Sequence, residues 1–93
     1  MSHIDIQRTH RLPLKDAKAR VEHIAERIAE RFDVEYGWQG NTLEFTRIGV
    51  QGLIAVSSKD VRVSVRLGFL LFALKSAIER EIEKTIDEQF NVK

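Results

Sequence analysis

Three histidines and fourteen acidic residues are the side chains of this 93-residue sequence that could bind a metal or transfer a proton. His3 and His10 lie an odd number of residues apart on one predicted strand, so their side chains point to opposite faces. His23 belongs to the first predicted helix. No single element carries histidines at the spacing of a metal site, so we expect no metal centre and interpret all three as solvated.

The carboxylates recur every four residues in two rows, which consist of Glu22, Glu26, Glu30 and of Glu79, Glu83, Asp87. Lysine and arginine alternate with both rows, a pattern that is typical of solvated helix faces. The absence of cysteine excludes thiol catalysis and zinc–thiolate sites. No serine has a histidine at a suggestive position, and no nucleophile elbow or phosphate-binding loop occurs. We therefore expect no enzymatic activity and no cofactor.

A basic surface is the next candidate site. Arg62 and Arg66 flank Ser64 on the outward face of one predicted strand, and Arg47 on a neighbouring strand is expected to join them. A sheet face that carries arginines can bind RNA or phosphate, usually together with exposed aromatic residues. Such aromatics are not evident, and the formal net charge is only +1. This pattern does not favour binding of nucleic acid, and cross-strand ion pairs explain the arginines more simply.

The segment from Leu67 to Leu74 is the most apolar part of the chain. On a helical projection its apolar residues cover almost the whole circumference, which predicts burial on more than one side. Three interpretations remain open: cover by the same domain, for instance by residues 10–14, a homodimer or protein-partner interface, and contact with a lipid or polymer surface. The candidate apolar contact patch consists of Phe69, Leu70, Phe72 and Ala73.

The elements that would position these side chains follow from hydrophobic periodicity. Alternation predicts a strand over residues 3–10, and apolar spacing of three and four predicts an amphipathic helix over 13–32 that starts at Pro13. Four further strands are predicted near 34–38, 43–46, 52–57 and 61–67, with turns at 39–41, between Gly49 and Gly52, and at 58–60. A second helix is predicted from about Phe69 to Gln89. The order β-α-β-β-β-β-α predicts an α+β fold, a single domain over 1–93 in which both helices cover one face of an antiparallel sheet.

Composition places the chain among ordinary globular proteins. Apolar residues make up 43% of it. The sequence begins without the basic and apolar regions of a signal peptide, and the apolar segment is shorter than the roughly 20 residues that span a bilayer. We therefore expect a cytoplasmic protein without a transmembrane segment.

The chain also resembles a small bacterial family, the polyhydroxyalkanoic acid system proteins, which are also described as granule-region proteins. The resemblance covers nearly the whole sequence and is carried by the order and spacing of four segments. They are RLPLKDAKARVEHIAERIAERF at 11–32, the Tyr36-Gly37-Trp38 strand with Gly40 and Leu43 to Phe45, Gly49-Val50-Gln51-Gly52, and VRVSVRLGFLLFALKSAIEREIEKTID at 61–87. It implies a role in storage-polymer metabolism or granule assembly, and it brings no catalytic residues.

Three functional hypotheses follow. The first is a non-enzymatic accessory protein of polyhydroxyalkanoate granules that acts through protein or granule-surface contacts, with a homodimer as a further alternative. The second is a small apolar-ligand or acyl-chain binding module, because two helices across a curved sheet can leave an apolar cleft between the layers. The third is a nucleic-acid binding domain that uses Arg47, Arg62 and Arg66.

Overall fold

The computed structural model describes residues 2–90, apart from the side chains of Ser2, Phe69, Leu70 and Phe72. Its elements are β1 (Ser2–Thr9), α1 (Leu14–Phe32), β2 (Glu35–Gln39), β3 (Thr42–Arg47), β4 (Val50–Val56), β5 (Asp60–Leu67), a 3₁₀ segment (Phe69–Leu74) and α2 (Lys75–Gln89). The predicted α+β order β-α-β-β-β-β-α is confirmed.

The five strands form one antiparallel sheet in the order β1-β5-β4-β3-β2. Strands β2 to β5 are a meander of neighbours in the chain, whereas β1 pairs with β5, the most distant strand in sequence. The register places Ile4 opposite Val65 and Ile6 opposite Val63. Through this pairing, the apolar side chains of β1 and β5 lie on the same buried face of the sheet.

Both helices cover that face. Helix α1 buries one stripe, which consists of Ala17, Val21, Ile24, Ala25 and Ile28. It begins after Pro13, whose carbonyl accepts a hydrogen bond from the Ala17 N–H at 2.9 Å. Helix α2 buries Ile82, Thr85 and Ile86. The opposite face of the sheet carries mainly polar side chains and is open to solvent.

The second predicted helix is divided. Residues Phe69–Leu74 form 3₁₀ turns, and α-helical geometry begins only at Lys75. No side chain caps the start of α2 at Leu74, and an uncapped apolar helix start leaves its N–H groups without the usual Ser, Thr, Asp or Asn acceptor. The preceding segment has the tighter i→i+3 geometry, which begins with the hydrogen bond from the Leu71 N–H to the Gly68 carbonyl at 3.1 Å.

The prediction that Gly49 and Gly52 bracket a turn is correct only for Gly49. The turn consists of Ile48 and Gly49, and Gly49 has a φ of 86°, which favours glycine. Gly52 lies inside β4, paired with Phe45 on one side and Val65 on the other. In β4 the buried positions are Gly52, Ile54 and Val56, which settles the facing of this strand.

Candidate functional site

An apolar cleft of about 290 Å³ lies between the helical layer and the sheet. Its lining comes from both layers. The helical side consists of the end of α1, the 3₁₀ segment and the first half of α2, and the sheet side consists of the α1–β2 connection, the end of β3, the start of β4 and strand β5. We call the end of the molecule where this cleft lies the cleft end. The cleft is the arrangement that the second functional hypothesis requires.

The floor of the cleft is apolar because of one row of residues across the sheet. Phe45, Gly52 and Val65 line the cleft and belong to one row of register partners, which Tyr36 of β2 and Ile4 of β1 continue on either side. Gly52 contributes no side chain to this row, and a Cβ atom there would lie 3.3 Å from Cγ2 of Val65 and 3.4 Å from Cδ2 of Phe45. The side chains of Val65 and Phe45 therefore approach each other over Gly52, and a larger residue there would have to displace them.

The rim of the cleft carries three charged residues, Arg31, Asp33 and Arg47. Arg31 forms an ion pair with Glu81 of α2 at 3.4 Å. Arg47 donates a hydrogen bond to the Phe32 carbonyl, and none of the ion pairs among the described residues includes it. An arginine has five N–H donors, so Arg47 can bind a further acceptor at the rim.

Apolar side chains complete the rim. Leu74 is 53% exposed and Ile48 is 95% exposed, and Leu71 is half-buried. Ile48 precedes Gly49, and a Cβ atom at Gly49 would lie 3.5 Å from Cδ1 of Leu71. We call Ile48, Leu71, Ala73 and Leu74 the rim patch.

The rim patch overlaps the candidate patch that the sequence predicts. Ala73 is exposed, whereas the side chains of Phe69, Leu70 and Phe72 lie outside the described part of the structure. The sequence analysis did not include Ile48 in the candidate patch, because a single exposed isoleucine in a turn gives no periodic signal.

The predicted basic surface does not come together. Arg47 has the same facing as Phe45 and lies at the cleft, on the opposite side of the sheet from Arg62 and Arg66. Arg62 makes two hydrogen bonds to Asp5, at 3.2 and 3.0 Å. This pair lowers the pKa of Asp5 and raises that of Arg62. The open face therefore presents one paired arginine and Arg66.

His10 is buried, which corrects the interpretation that all three histidines are solvated. Its Nδ1 accepts a hydrogen bond from the Leu12 N–H at 3.0 Å, and its Nε2 lies 2.9 Å from the Ser57 carbonyl. Nε2 therefore carries the proton and donates it to that carbonyl, which identifies a neutral ring. The ring also packs against Phe90, with centroids 5.4 Å apart. His10 thus ties the β1–α1 connection to the β4–β5 turn and to the end of α2.

His3 has a serine partner that the sequence did not suggest. Nε2 of His3 lies 3.3 Å from Oγ of Ser64 across the β1–β5 pair. The two side chains stand on the open sheet face, beside a shallow depression that Glu44, Thr46 and Arg66 also line. The contact arises from strand pairing between residues 61 positions apart, so neither spacing nor motif could predict it.

Glu22 is not simply part of a solvated row. Its two carboxylate oxygens accept hydrogen bonds from the Tyr36 hydroxyl at 2.8 Å and from the Trp38 indole N–H at 2.6 Å. Lys18, one turn earlier, places its Nζ 4.9 Å from the Trp38 ring centroid and 3.0 Å from the Gly40 carbonyl. These contacts attach α1 to the edge strand β2 and explain why Tyr36 and Trp38 are half-buried.

Two wider features concern metal and membrane. Within residues 2–90, no group of three or more histidine, aspartate or glutamate side chains is arranged to hold a metal ion. None of the helices in the described part of the chain has both the length and the apolar character needed to cross a membrane.

Comparison with known proteins gives one match. The model of a family described as "Putative polyhydroxyalkanoic acid system protein" matches residues 4–90. No curated protein and no solved structure matches the chain. The matched residues include β1 from Ile4 onward, every later strand and helix of the described chain, and both sides of the cleft. This chain therefore belongs to the polyhydroxyalkanoic acid system protein family.

Proposed function

We propose that this protein is a non-enzymatic accessory protein of the polyhydroxyalkanoate system that acts through contact with the storage granule. The family links the chain to that polymer system. The observation that carries the proposal is the rim patch. Among the side chains that the structure describes, three large apolar ones are exposed, and two of these, Ile48 and Leu74, belong to it. Exposed apolar residues that cluster in this way commonly mark a contact surface.

The roles of the polar side chains support contact rather than catalysis. His10 and Glu22 both use their side-chain hydrogen bonds to hold elements of the fold together. A catalytic acid or base would need a free face toward a bound substrate. Their hydrogen bonds leave them better suited to fixing the sandwich than to transferring protons.

The contact surface can be tested with the double substitution Ile48→Ser and Leu74→Ser. Burial of an aliphatic side chain of this size contributes about 1.5–3 kcal/mol, and about 1.4 kcal/mol corresponds to a factor of ten in affinity. We expect at least a tenfold loss of binding to purified polyhydroxyalkanoate granules, measured by co-sedimentation of the folded variant.

Leu53→Ser is the matched control. Leu53 is 44% exposed but stands on the open sheet face, away from the rim patch. This variant should bind granules like the unaltered protein. Equal binding by the double variant, or no granule binding by the unaltered protein, would rule out the proposed contact.

A second candidate function is binding of a small apolar ligand, and the cleft favours it. Its volume of about 290 Å³ is close to the lower end of ligand pockets, which begin at about 300 Å³. Its floor is made of buried aliphatic and aromatic side chains, as in such pockets. Titration with 1-decanol, followed by nuclear magnetic resonance of the lining methyl groups, tests this function. Shifts confined to cleft residues support it, and no shift contradicts it.

A further inference from the structure

We propose that the cleft binds one aliphatic acyl chain of about ten carbons, with its carboxylate at Arg47. The inference rests on the second candidate function, binding of an apolar ligand, and adds the class, the length and the orientation of that ligand. Three features of the cleft carry it: its volume, the chemistry of its floor and the charges on its rim.

The volume sets the length of the chain. An apolar cavity of about 150 Å³ accommodates one benzene molecule, which has six carbons. In the same proportion, the 290 Å³ of this cleft has room for about eleven or twelve aromatic carbons. A methylene carries one hydrogen more than an aromatic CH group, so the number of aliphatic carbons is somewhat lower, roughly ten. A chain of four carbons would leave much of the apolar lining without contacts, and a chain of fourteen would extend beyond the rim.

The floor determines which part of the ligand enters. The buried side chains that line the cleft, on the sheet and on both helices, are Ile28, Val34, Phe45, Val63, Val65, Leu67 and Ile82. None of them offers a hydrogen-bonding group, and a polar group without a partner is costly to bury. The inner part of the ligand is therefore hydrocarbon, and its polar end remains at the rim.

The rim determines the charge at that end. Arg31 is already paired with Glu81, whereas Arg47 makes only its hydrogen bond to the Phe32 carbonyl among the described contacts. A carboxylate can accept charge-assisted hydrogen bonds from the remaining N–H groups of the Arg47 guanidinium. Asp33 also lies on the rim and opposes an anion there. Removing the charge of Arg47 should therefore weaken binding of a carboxylate, and removing the charge of Asp33 should strengthen it.

The first test is a chain-length series of saturated fatty acids from six to fourteen carbons, measured by calorimetry below their critical micelle concentrations. Burial of one methylene contributes about 0.8 kcal/mol, which corresponds to roughly a fourfold gain in affinity. We expect this gain for each added carbon up to about ten, and no gain beyond. Affinity that rises unabated through fourteen carbons, or that is independent of length, would overturn the size assignment.

The second test separates the head group from the chain. Arg47→Gln should weaken decanoate binding about tenfold and leave 1-decanol binding unchanged, since a charge-assisted bond is stronger than a neutral one. Asp33→Asn should strengthen decanoate binding and also leave 1-decanol unchanged. Asparagine accepts the left-handed backbone of position 33, so this variant should keep the fold. If decanoate binds no better than 1-decanol and neither variant changes the ratio, Arg47 does not hold a carboxylate.

The outcomes distinguish this inference from the function on which it rests. If 1-decanol binds in the cleft but the carboxylate and length effects are absent, the apolar-ligand function stands and the acyl assignment fails. If neither compound binds, both fail. The same titration with 3-hydroxydecanoate identifies the class of acyl chain. Tighter binding than that of decanoate indicates a hydroxyalkanoate, and equal or weaker binding indicates a simple fatty acid.

Discussion

Glu22 shows how one charged residue can join two elements. Its carboxylate accepts hydrogen bonds from both aromatic side chains of β2, and Lys18 lies over the Trp38 ring from the same helix face. The hydrogen bond to Glu22 raises the pKa of Tyr36 above its usual 10.0. Because the folded-state pKa is raised, this contribution to stability is present below about pH 10 and is lost as the pH rises through the folded-state value.

Substitution of Glu22 tests this attachment. Glu22→Ala leaves the half-buried Trp38 N–H without its acceptor, so we expect the free energy of unfolding to fall by about 1–2 kcal/mol. Glu22→Gln retains an acceptor of the same shape and should cost less. Urea unfolding can be followed through Trp38, which is the single tryptophan of the chain. Equal stability of all three proteins would show that the hydrogen bonds contribute nothing.

At the scale of the element, Asp33 ends α1 in an unusual conformation for a residue with a side chain. Its φ and ψ are 54° and 48°, and its N–H donates to the Ala29 carbonyl at 2.9 Å. Aspartate tolerates this left-handed conformation better than most residues, although glycine is favoured at such positions. The conformation turns the chain directly into Val34 and β2, and it places Asp33 on the rim of the cleft.

Two substitutions measure the cost of that conformation. Asp33→Gly should be more stable than Asp33→Ala by about 1 kcal/mol, because a Cβ atom is disfavoured in the left-handed region. Comparing these two variants removes the effect of the lost carboxylate, which is common to both. Chemical denaturation with the same slope for each variant gives the difference. An alanine variant as stable as the glycine variant would indicate that the end of α1 adopts another conformation.

The position of the 3₁₀ segment also depends on contacts at the scale of the element. The Gly68 N–H donates to the Gly49 carbonyl at 2.8 Å, and a Cβ atom at Gly68 would lie 3.3 Å from Cα of Gly49. This close approach fixes the 3₁₀ segment against the β3–β4 turn. The rim patch is therefore assembled from two segments that glycine allows to meet.

At the scale of the whole molecule, one ion pair and several hydrogen bonds on the open face connect β1 to β5 and to the β4–β5 turn. Asp5 of β1 is bound by Arg62 of β5, and Asp60 accepts hydrogen bonds from Ser57 and Gln7. These bonds lower the pKa of both carboxyl groups below 3.8. A lowered folded-state pKa means that their contribution is present above the unfolded value and is lost as the pH falls through the folded one.

The double variant Asp5→Asn and Asp60→Asn should therefore lose less thermal stability than the unaltered protein when the pH is lowered from 6 to 2. Melting temperatures measured by circular dichroism at several pH values in this interval test the expectation. Glu35→Gln is a control, since Glu35 is exposed and takes part in none of the hydrogen bonds or ion pairs among the described side chains. If the double variant and the control have the same pH profile, the β1–β5 ion pair does not contribute to acid stability.

Much of this fold follows from local pattern. Alternation in β5 and the stripe of α1 predict those elements closely, because a half-buried strand or helix must repeat with its own period. The family resemblance also depended on such segments and is confirmed. Prediction was less accurate at Gly52, at the 3₁₀ segment and at Glu22, where contacts between distant segments outweigh local preference.

The sequence by itself determined the periodicity of the elements, their order and the absence of cysteine chemistry, since these depend only on residues close together or on composition. Only the tertiary structure decided that β1 pairs with β5 and that His10 is buried. It also decided that Arg47 lies on the sheet face toward the helices, whereas Arg62 and Arg66 lie on the open face. It decided as well that a cleft is present, because the space that Gly52 lines exists only when Phe45, Val65 and both helices surround it. A cavity is a property of how distant surfaces fit together, and no local pattern in the chain records it.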